Sequence, residues 1–101
     1  MKTALIAASL AVGAAGDLAS AADAAAGERK YVLCAGCHGP TGAGNDALKY
    51  PRLAGRDAGF IAEQLRAYKT GARDNATMRA MTAGLSDNDI DNLAAYISTF
   101  D

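Results

Sequence analysis

In three stretches of the chain, apolar residues recur at the spacing of an α-helix. Over residues 57–69, Phe60, Ile61, Gln64, Leu65 and Tyr68 share one face while Glu63, Arg66 and Lys69 take the other, and Gly71 is placed to end the helix. Farther along, Ile90, Leu93, Ala94 and Ile97 stand at i, i+3, i+4 and i+7 with Tyr96 and Phe100 beside them, which reads as one buried stripe. That helix opens on Ser86-Asp87-Asn88-Asp89. Ser-x-x-Asp is a weaker relative of the Ser/Thr-x-x-Glu/Gln capping box, and acidic residues in a first turn suit the helix dipole. The remaining helix covers residues 24–33, with Asp23 as N-cap and Tyr31, Val32 and Leu33 as its apolar positions. Gly27 interrupts it early. Glycine inside a helix costs about 1 kcal/mol relative to alanine, so its presence predicts a close approach by another element. No period-2 strand pattern is visible, and the expected fold is all-α with about three main helices.

The intervals between these helices are as informative as the helices. Residues 39–55 carry Gly39, Pro40, Gly42, Gly44, Asn45, Pro51 and Gly55 with no regular period, and read as a loop. So long a loop in so small a domain is unusual unless it wraps something that is not protein. Residues 74–84 read as a second irregular stretch, and they contain Met78 and Met81. With no internal repeat, linker or low-complexity tail, one domain is the economical reading.

Composition sharpens this picture. Half of the 101 residues are hydrophobic but only 6% are aromatic, so side-chain volume for a core is small and a staple is expected. The net charge of −1 offers no basic face for nucleic acid. The start of the chain reads as an export signal: Lys2, an uncharged apolar run over residues 4–15, and the small-x-small site Ala19-Ser20-Ala21. A run of that length is too short to span a bilayer. The expected organisation is therefore a signal peptide over 1–21, a single domain over 22–101 outside the bacterial cytoplasm, and no membrane span in the mature chain.

Candidate chemistry centres on Cys34-Ala35-Gly36-Cys37-His38. Two thiols three positions apart, followed at once by a histidine, form the c-type haem attachment motif: the thiols can join both vinyl groups of one haem while the imidazole reaches its iron. A structural zinc site would need further ligands, and the chain has no third cysteine and no second histidine. A thioredoxin-like dithiol expects a βαβ setting that the pattern lacks. A covalent haem would also be the staple, since a large apolar ring supplies burial that short side chains cannot. Iron held by one histidine has a sixth position, and with His38 the sole histidine, Met78 and Met81 are the candidates beyond the initiator. Three positions apart, they cannot both readily ligate one iron. Within Tyr50-Pro51-Arg52-Leu53 a backbone carbonyl could accept the proton of the other imidazole nitrogen, or Pro51 could be an ordinary turn residue. Arg52, Arg56 and Arg73 lie in the two loops, as partners for haem carboxylates or as solvated surface. No Ser/His/Asp or Cys/His catalytic set can be built, because His38 is committed.

Taken together, the helix, Cys-x-x-Cys-His, glycine-rich loop, Tyr50-Pro51-x-Leu53-Ala54-Gly55, amphipathic helix, Lys69-x-Gly71-x-Arg73, Met78-x-x-Met81 and Leu85-Ser86-Asp87-x-Asp89-Ile90 resemble the short class I cytochromes c of bacteria. Within that class the chain is most similar to one half of the di-haem periplasmic cytochromes and to their single-haem relatives. The resemblance covers essentially the whole mature chain. It implies the cytochrome c fold, with loops wrapped around one covalently bound haem c, and a periplasmic location. It further implies Cys34 and Cys37 as thioether sites, His38 as proximal ligand, Pro51 as the residue whose carbonyl orients that histidine, and Met78 rather than Met81 as distal ligand. Gly27 and Tyr96 match the family's crossing of first and last helices, where an aromatic ring lies over a glycine. The family's exposed ring edge would be bordered here by Ala35, Gly36, Gly39, Pro40, Met81 and Ala83. The interval from His38 to Pro51 is slightly longer than the family's, and only one attachment motif is present.

Histidine and methionine together close both axial positions, which implies a one-electron carrier cycling Fe(III)/Fe(II) and not an enzyme. Its partners would be redox proteins: a membrane quinol-oxidising complex or dehydrogenase as donor, and a terminal oxidase or reductase as acceptor. A monomer or weak dimer is expected. The competing readings are a haem enzyme or gas sensor with an open distal site, and a cytochrome subunit of a larger oxidoreductase.

Overall fold

The computed structural model describes residues 22–101, so the expected signal peptide lies outside the described residues. Four helices follow one another: α1 (Ala24–His38), α2 (Ala58–Thr70), α3 (Ala76–Thr82) and α4 (Asp87–Ile97). Among the described residues none is long and apolar enough to cross a membrane.

Each helix starts where a side chain can satisfy its free N–H groups. Asp23 Oδ1 accepts from Ala25 and Ala26 N–H at 3.0 and 3.2 Å, and Asp57 Oδ1 accepts from Phe60 N–H at 2.7 Å. At Ser86 the capping box is complete despite its aspartate: Asp89 N–H donates to Ser86 Oγ at 3.0 Å, and Ser86 N–H donates to Asp89 Oδ2 at 2.9 Å. Gly71, at φ 84, ends α2 in the left-handed region as expected.

The structure departs from the sequence reading in two elements. The first helix does not stop at Leu33 but runs on to His38, ending at Gly39 with φ 87. The stretch 74–84, expected to be irregular, contains α3. Its cap is Asn75, whose Oδ1 accepts from Met78 N–H at 2.9 Å, and Ala76, Met78, Arg79, Ala80 and Met81 behind that cap are good helix formers.

The core forms where α1 crosses α4 and α2 packs on the same stripe. Ile90, Leu93, Ala94 and Ile97 of α4 meet Tyr31 of α1, Ile61 and Leu65 of α2, and Leu85. Ile90, Leu93 and Ile97 are at most 2% exposed, and full burial of such a side chain stabilises by about 1.5–3 kcal/mol. Tyr31, Tyr96 and Phe100 form an edge-on triangle beside this core, with ring centroids 5.1 to 5.6 Å apart. Gly27 meets the close approach it predicts, but the partner is the backbone at Asn92 and Leu93. The Tyr96 ring, one turn on, packs against Tyr31. Ion pairs tie the helices at the surface: Lys30 to Asp89, and Arg66 to Asp87 and Asp91.

Candidate haem site

Because α1 continues through the attachment motif, Cys34, Cys37 and His38 stand at i, i+3 and i+4 on one helical face. That face looks into a cavity of two lobes, of about 160 and 260 Å³, and Cys34, His38 and Met78 line both. Cys37, Leu33, Leu48, Lys49, Tyr50 and Met81 line the larger lobe. The smaller takes Pro51, Arg56, Gln64, Tyr68, Arg73 and Ile97, among others. A separate open groove of about 630 Å³, lined by residues such as Asp23, Ala58, Asp91 and Asn92, holds no cysteine, histidine or methionine.

His38 is 6% exposed, and its Nδ1 lies 2.8 Å from the Pro51 carbonyl oxygen. A carbonyl can only accept, so Nδ1 carries a proton and Nε2 is the nitrogen left to face a metal. The ring is thereby set as a metal ligand with its tautomer fixed. Two backbone devices bring Pro51 there. Gly44 N–H donates to the His38 carbonyl at 2.8 Å, at a place where a Cβ would stand 2.6 Å from the Tyr50 oxygen, so glycine at φ 74 is required. The stretch before Pro51 is then pinched off by an antiparallel bridge, Asn45 N–H to Tyr50 O at 2.7 Å and Tyr50 N–H to Asn45 O at 2.9 Å. Lys49 turns that corner at φ 63.

Cys34 and Cys37 are thiols, not a disulfide. Before any attachment, burial, aided by the charge of Cys37, pushes the Cys34 thiol up to about 11. No three His, Cys, Asp or Glu side chains converge among the described residues. The donor set fits a haem: two thiols on the wall, one imidazole nitrogen free to bind iron, a methionine sulfur on the same cavity, and apolar walls between them.

The two methionines are unequal. Met78 packs against the core and borders both lobes, whereas Met81 is 39% exposed and borders only the larger. The three arginines divide as well. Arg73 lines the smaller lobe, with its guanidinium 4.9 Å from the Tyr68 ring centroid and a hydrogen bond to Gln64 Oε1. Arg56 lines the same lobe, 5.3 Å over Phe60, with Nε donating to the Arg52 carbonyl at 3.1 Å. Arg52 lines neither lobe, and its side chain donates to the Asp101 carbonyl at 3.0 Å. Of the small residues expected at a ring edge, Ala35 is half-buried and packs against the core. Sequence reasoning missed Tyr50, Leu48 and Gln64 as cavity residues. For Gln64 the signal was present, an amide on an otherwise apolar helix face.

Comparison with known proteins supplies the family. The family model described as cytochrome c oxidase, cbb3-type, subunit III matches residues 22–97. Cytochrome c-554(548) of Halomonas halodenitrificans is 44% identical over 82 residues, which cover 78% of this chain and 98% of that one. The thiosulfate dehydrogenase electron acceptor of Thiomonas intermedia is 45% identical over 91 residues, covering 88% of this chain and 42% of that one. Reduced recombinant cytochrome c4 from Pseudomonas stutzeri superposes with a TM-score of 0.73 at 35% identity, covering 77% of this chain and 48% of that chain. The chain spans under half the length of these longer relatives. The chain belongs to the bacterial cytochromes c, with their all-α fold and covalently held haem c.

Proposed function

We propose that this protein is a periplasmic one-electron carrier whose haem iron is held between His38 and Met78. The observation that carries the reading is the buried His38 ring, fixed by Pro51 through Nδ1, on the same cavity wall as Cys34 and Cys37 and with Met78 bordering both lobes. When bound, the haem supplies the Fe(III)/Fe(II) couple.

The chain's own residues do the rest. Cys34 and Cys37 would anchor the ring as its two thioether sites, and the Pro51 carbonyl holds His38 in one tautomer and orientation. Ile61, Leu65, Tyr68 and Ile97 wall the cavity and exclude water, so little reorganises when one charge arrives or leaves. Arg56 and Arg73 face the smaller lobe, as partners for the haem carboxylates. A thioether from Met78 would favour the ferrous state and leave no place for a substrate at the iron, so electron transfer without bond making is the activity this residue set supports. Electrons would come from a quinol-oxidising complex or a dehydrogenase and pass to an oxidase or reductase. The Thiomonas relative named as an electron acceptor fits that place in a chain of carriers.

Optical spectra of the purified protein in both redox states test this. The oxidised form is expected to carry the weak red charge-transfer band of a thioether–iron(III) bond, and the reduced form to resist carbon monoxide at neutral pH. Absence of that band together with rapid carbon monoxide binding would replace the carrier by an enzyme or sensor with an open site.

A further inference from the structure

The residues after α4 reach back to the loop that carries Pro51. Thr99 N–H donates to the Tyr96 carbonyl and Phe100 N–H to the Ile97 carbonyl, both at 3.0 Å, and these turns lay the Phe100 ring on the loop. There it fills the space beside Gly42, φ 70, where a Cβ would fall 2.7 Å from the ring and 3.2 Å from Leu53 Cβ. The Phe100 carbonyl accepts from Gly55 N–H at 3.0 Å. Gly42 and Leu53–Gly55 are the two arms of one loop, since the Gly42 carbonyl accepts from Leu53 N–H at 2.8 Å and Ala54 N–H at 3.1 Å. Pro51 stands two residues before that junction. The ring's other neighbours are Tyr96, at 5.1 Å, and Tyr31, at 5.2 Å. The Tyr31 hydroxyl donates to the carbonyl of Gly39, the residue after His38, at 2.6 Å. The aromatic triangle and the Phe100 carbonyl therefore together grip the chain just past His38 and both arms of the loop that brings Pro51 to it.

We propose that Phe100 is a positioning residue for the axial imidazole: its ring and carbonyl hold the loop so that the Pro51 oxygen stays on His38 Nδ1. The inference rests on the axial role proposed for His38. A carbonyl on Nδ1–H makes the imidazole a stronger donor through Nε2 and favours ferric iron. Loosening the loop weakens that bond, and the reduction potential rises. The Gly55 bond is made by the backbone, so side-chain substitution removes only the ring's share of the grip.

The test uses the haem-loaded protein and four variants: Phe100→Ala, Phe100→Leu as a milder truncation, Phe100→Tyr as the conservative rescue, and Ile90→Val as a destabilised control. Ile90 is fully buried and borders neither lobe, so removing one methylene there loosens the core away from the site. Solvent exchange of the His38 Nδ1 proton, followed by NMR in the reduced state, is expected to speed up about tenfold in Phe100→Ala and less in Phe100→Leu. The reduction potential should rise in the same order, while Phe100→Tyr stays near wild type. Ile90→Val should lower the unfolding midpoint and leave both readouts unmoved. Unchanged exchange and potential in a less stable Phe100→Leu, or equal shifts in Ile90→Val, would overturn the inference. A wild-type spectrum without histidine ligation would instead sink the axial reading, and this inference with it.

Discussion

The backbone of Gly27 rests directly on that of Asn92. A Cβ at position 27 would fall 2.5 Å from the Asn92 carbonyl carbon and 3.0 Å from the Leu93 nitrogen, and neither can retreat without moving α4. The helix-propensity cost of this glycine, about 1 kcal/mol, is thus outweighed by the packing that a bare Cα permits. Gly27→Ala should destabilise by about 1–3 kcal/mol in spite of alanine's better propensity, and thermal unfolding would measure it. Gly36, exposed on the same helix with nothing within 4 Å of its would-be Cβ, is the control. Gly36→Ala should be neutral or stabilising by up to about 1 kcal/mol.

Met78 and Met81 offer the cleanest division of roles at the site. Met78 is packed on the core and borders both lobes, while Met81 sits at the rim with 39% of its surface in solvent. Met78→Ala should abolish the thioether charge-transfer band and lower the reduction potential, because a soft ligand that favours Fe(II) is lost. Met81→Ala should keep the band and the potential. Spectra and potentiometry of the two variants side by side decide the matter, and the reverse pattern would reassign the ligand.

Much of this site was legible because covalent and coordination chemistry leaves fixed spacings. Cys34, Cys37 and His38 were readable as a unit, and glycines and prolines announced the loop that carries Pro51. The His38–Pro51 contact was harder, because the loop's extra length argued against it. Only coordinates reveal that the Asn45–Tyr50 bridge closes that length off. α3 was missed because a seven-residue helix shows no period, and its one signal was the Asn75 cap. The arginines could not be sorted from sequence at all. Which of them turns inward depends on partners distant in the chain: Asp101 for Arg52, and Gln64 with Tyr68 for Arg73.

The capping box of α4 gives a pH dependence with a definite sign. The Ser86 backbone N–H, with smaller help from the Ser86 hydroxyl and Lys30, holds the Asp89 carboxyl below its ordinary value of 3.8. A depressed folded-state pKa means that Asp89 contributes its stability in full above the ordinary value and loses it as pH falls through the lowered one. Acid unfolding followed by circular dichroism should therefore begin at higher pH in Ser86→Ala, where one half of the box is gone. In Asp89→Asn the stability below about pH 4 should vary less steeply than in wild type. Equal acid limbs in all three proteins would mean that the box carries no linkage.

Arg73 and Arg52 separate a cation on the cavity wall from one outside it. Arg73 is preorganised by the Tyr68 ring and the Gln64 amide at the edge of the smaller lobe, so its remaining N–H groups can meet a haem carboxylate without further ordering. A carboxylate beside a guanidinium is held ionised, its pKa well below the usual carboxylate range. With Arg73 in place, the reduction potential should then be flat between about pH 5 and 8. In Arg73→Gln the carboxylate titrates inside that window. Its ionised form favours Fe(III), so the potential should fall as pH rises. Arg56 shares the lobe and limits the effect, and the double variant Arg56→Gln with Arg73→Gln should slope more steeply. Arg52→Gln should remain flat, because its side chain meets Asp101 outside the cavity. Potentiometric titration of these proteins across the same pH range distinguishes them. A slope in Arg52→Gln with none in Arg73→Gln would place the carboxylate at the other arginine.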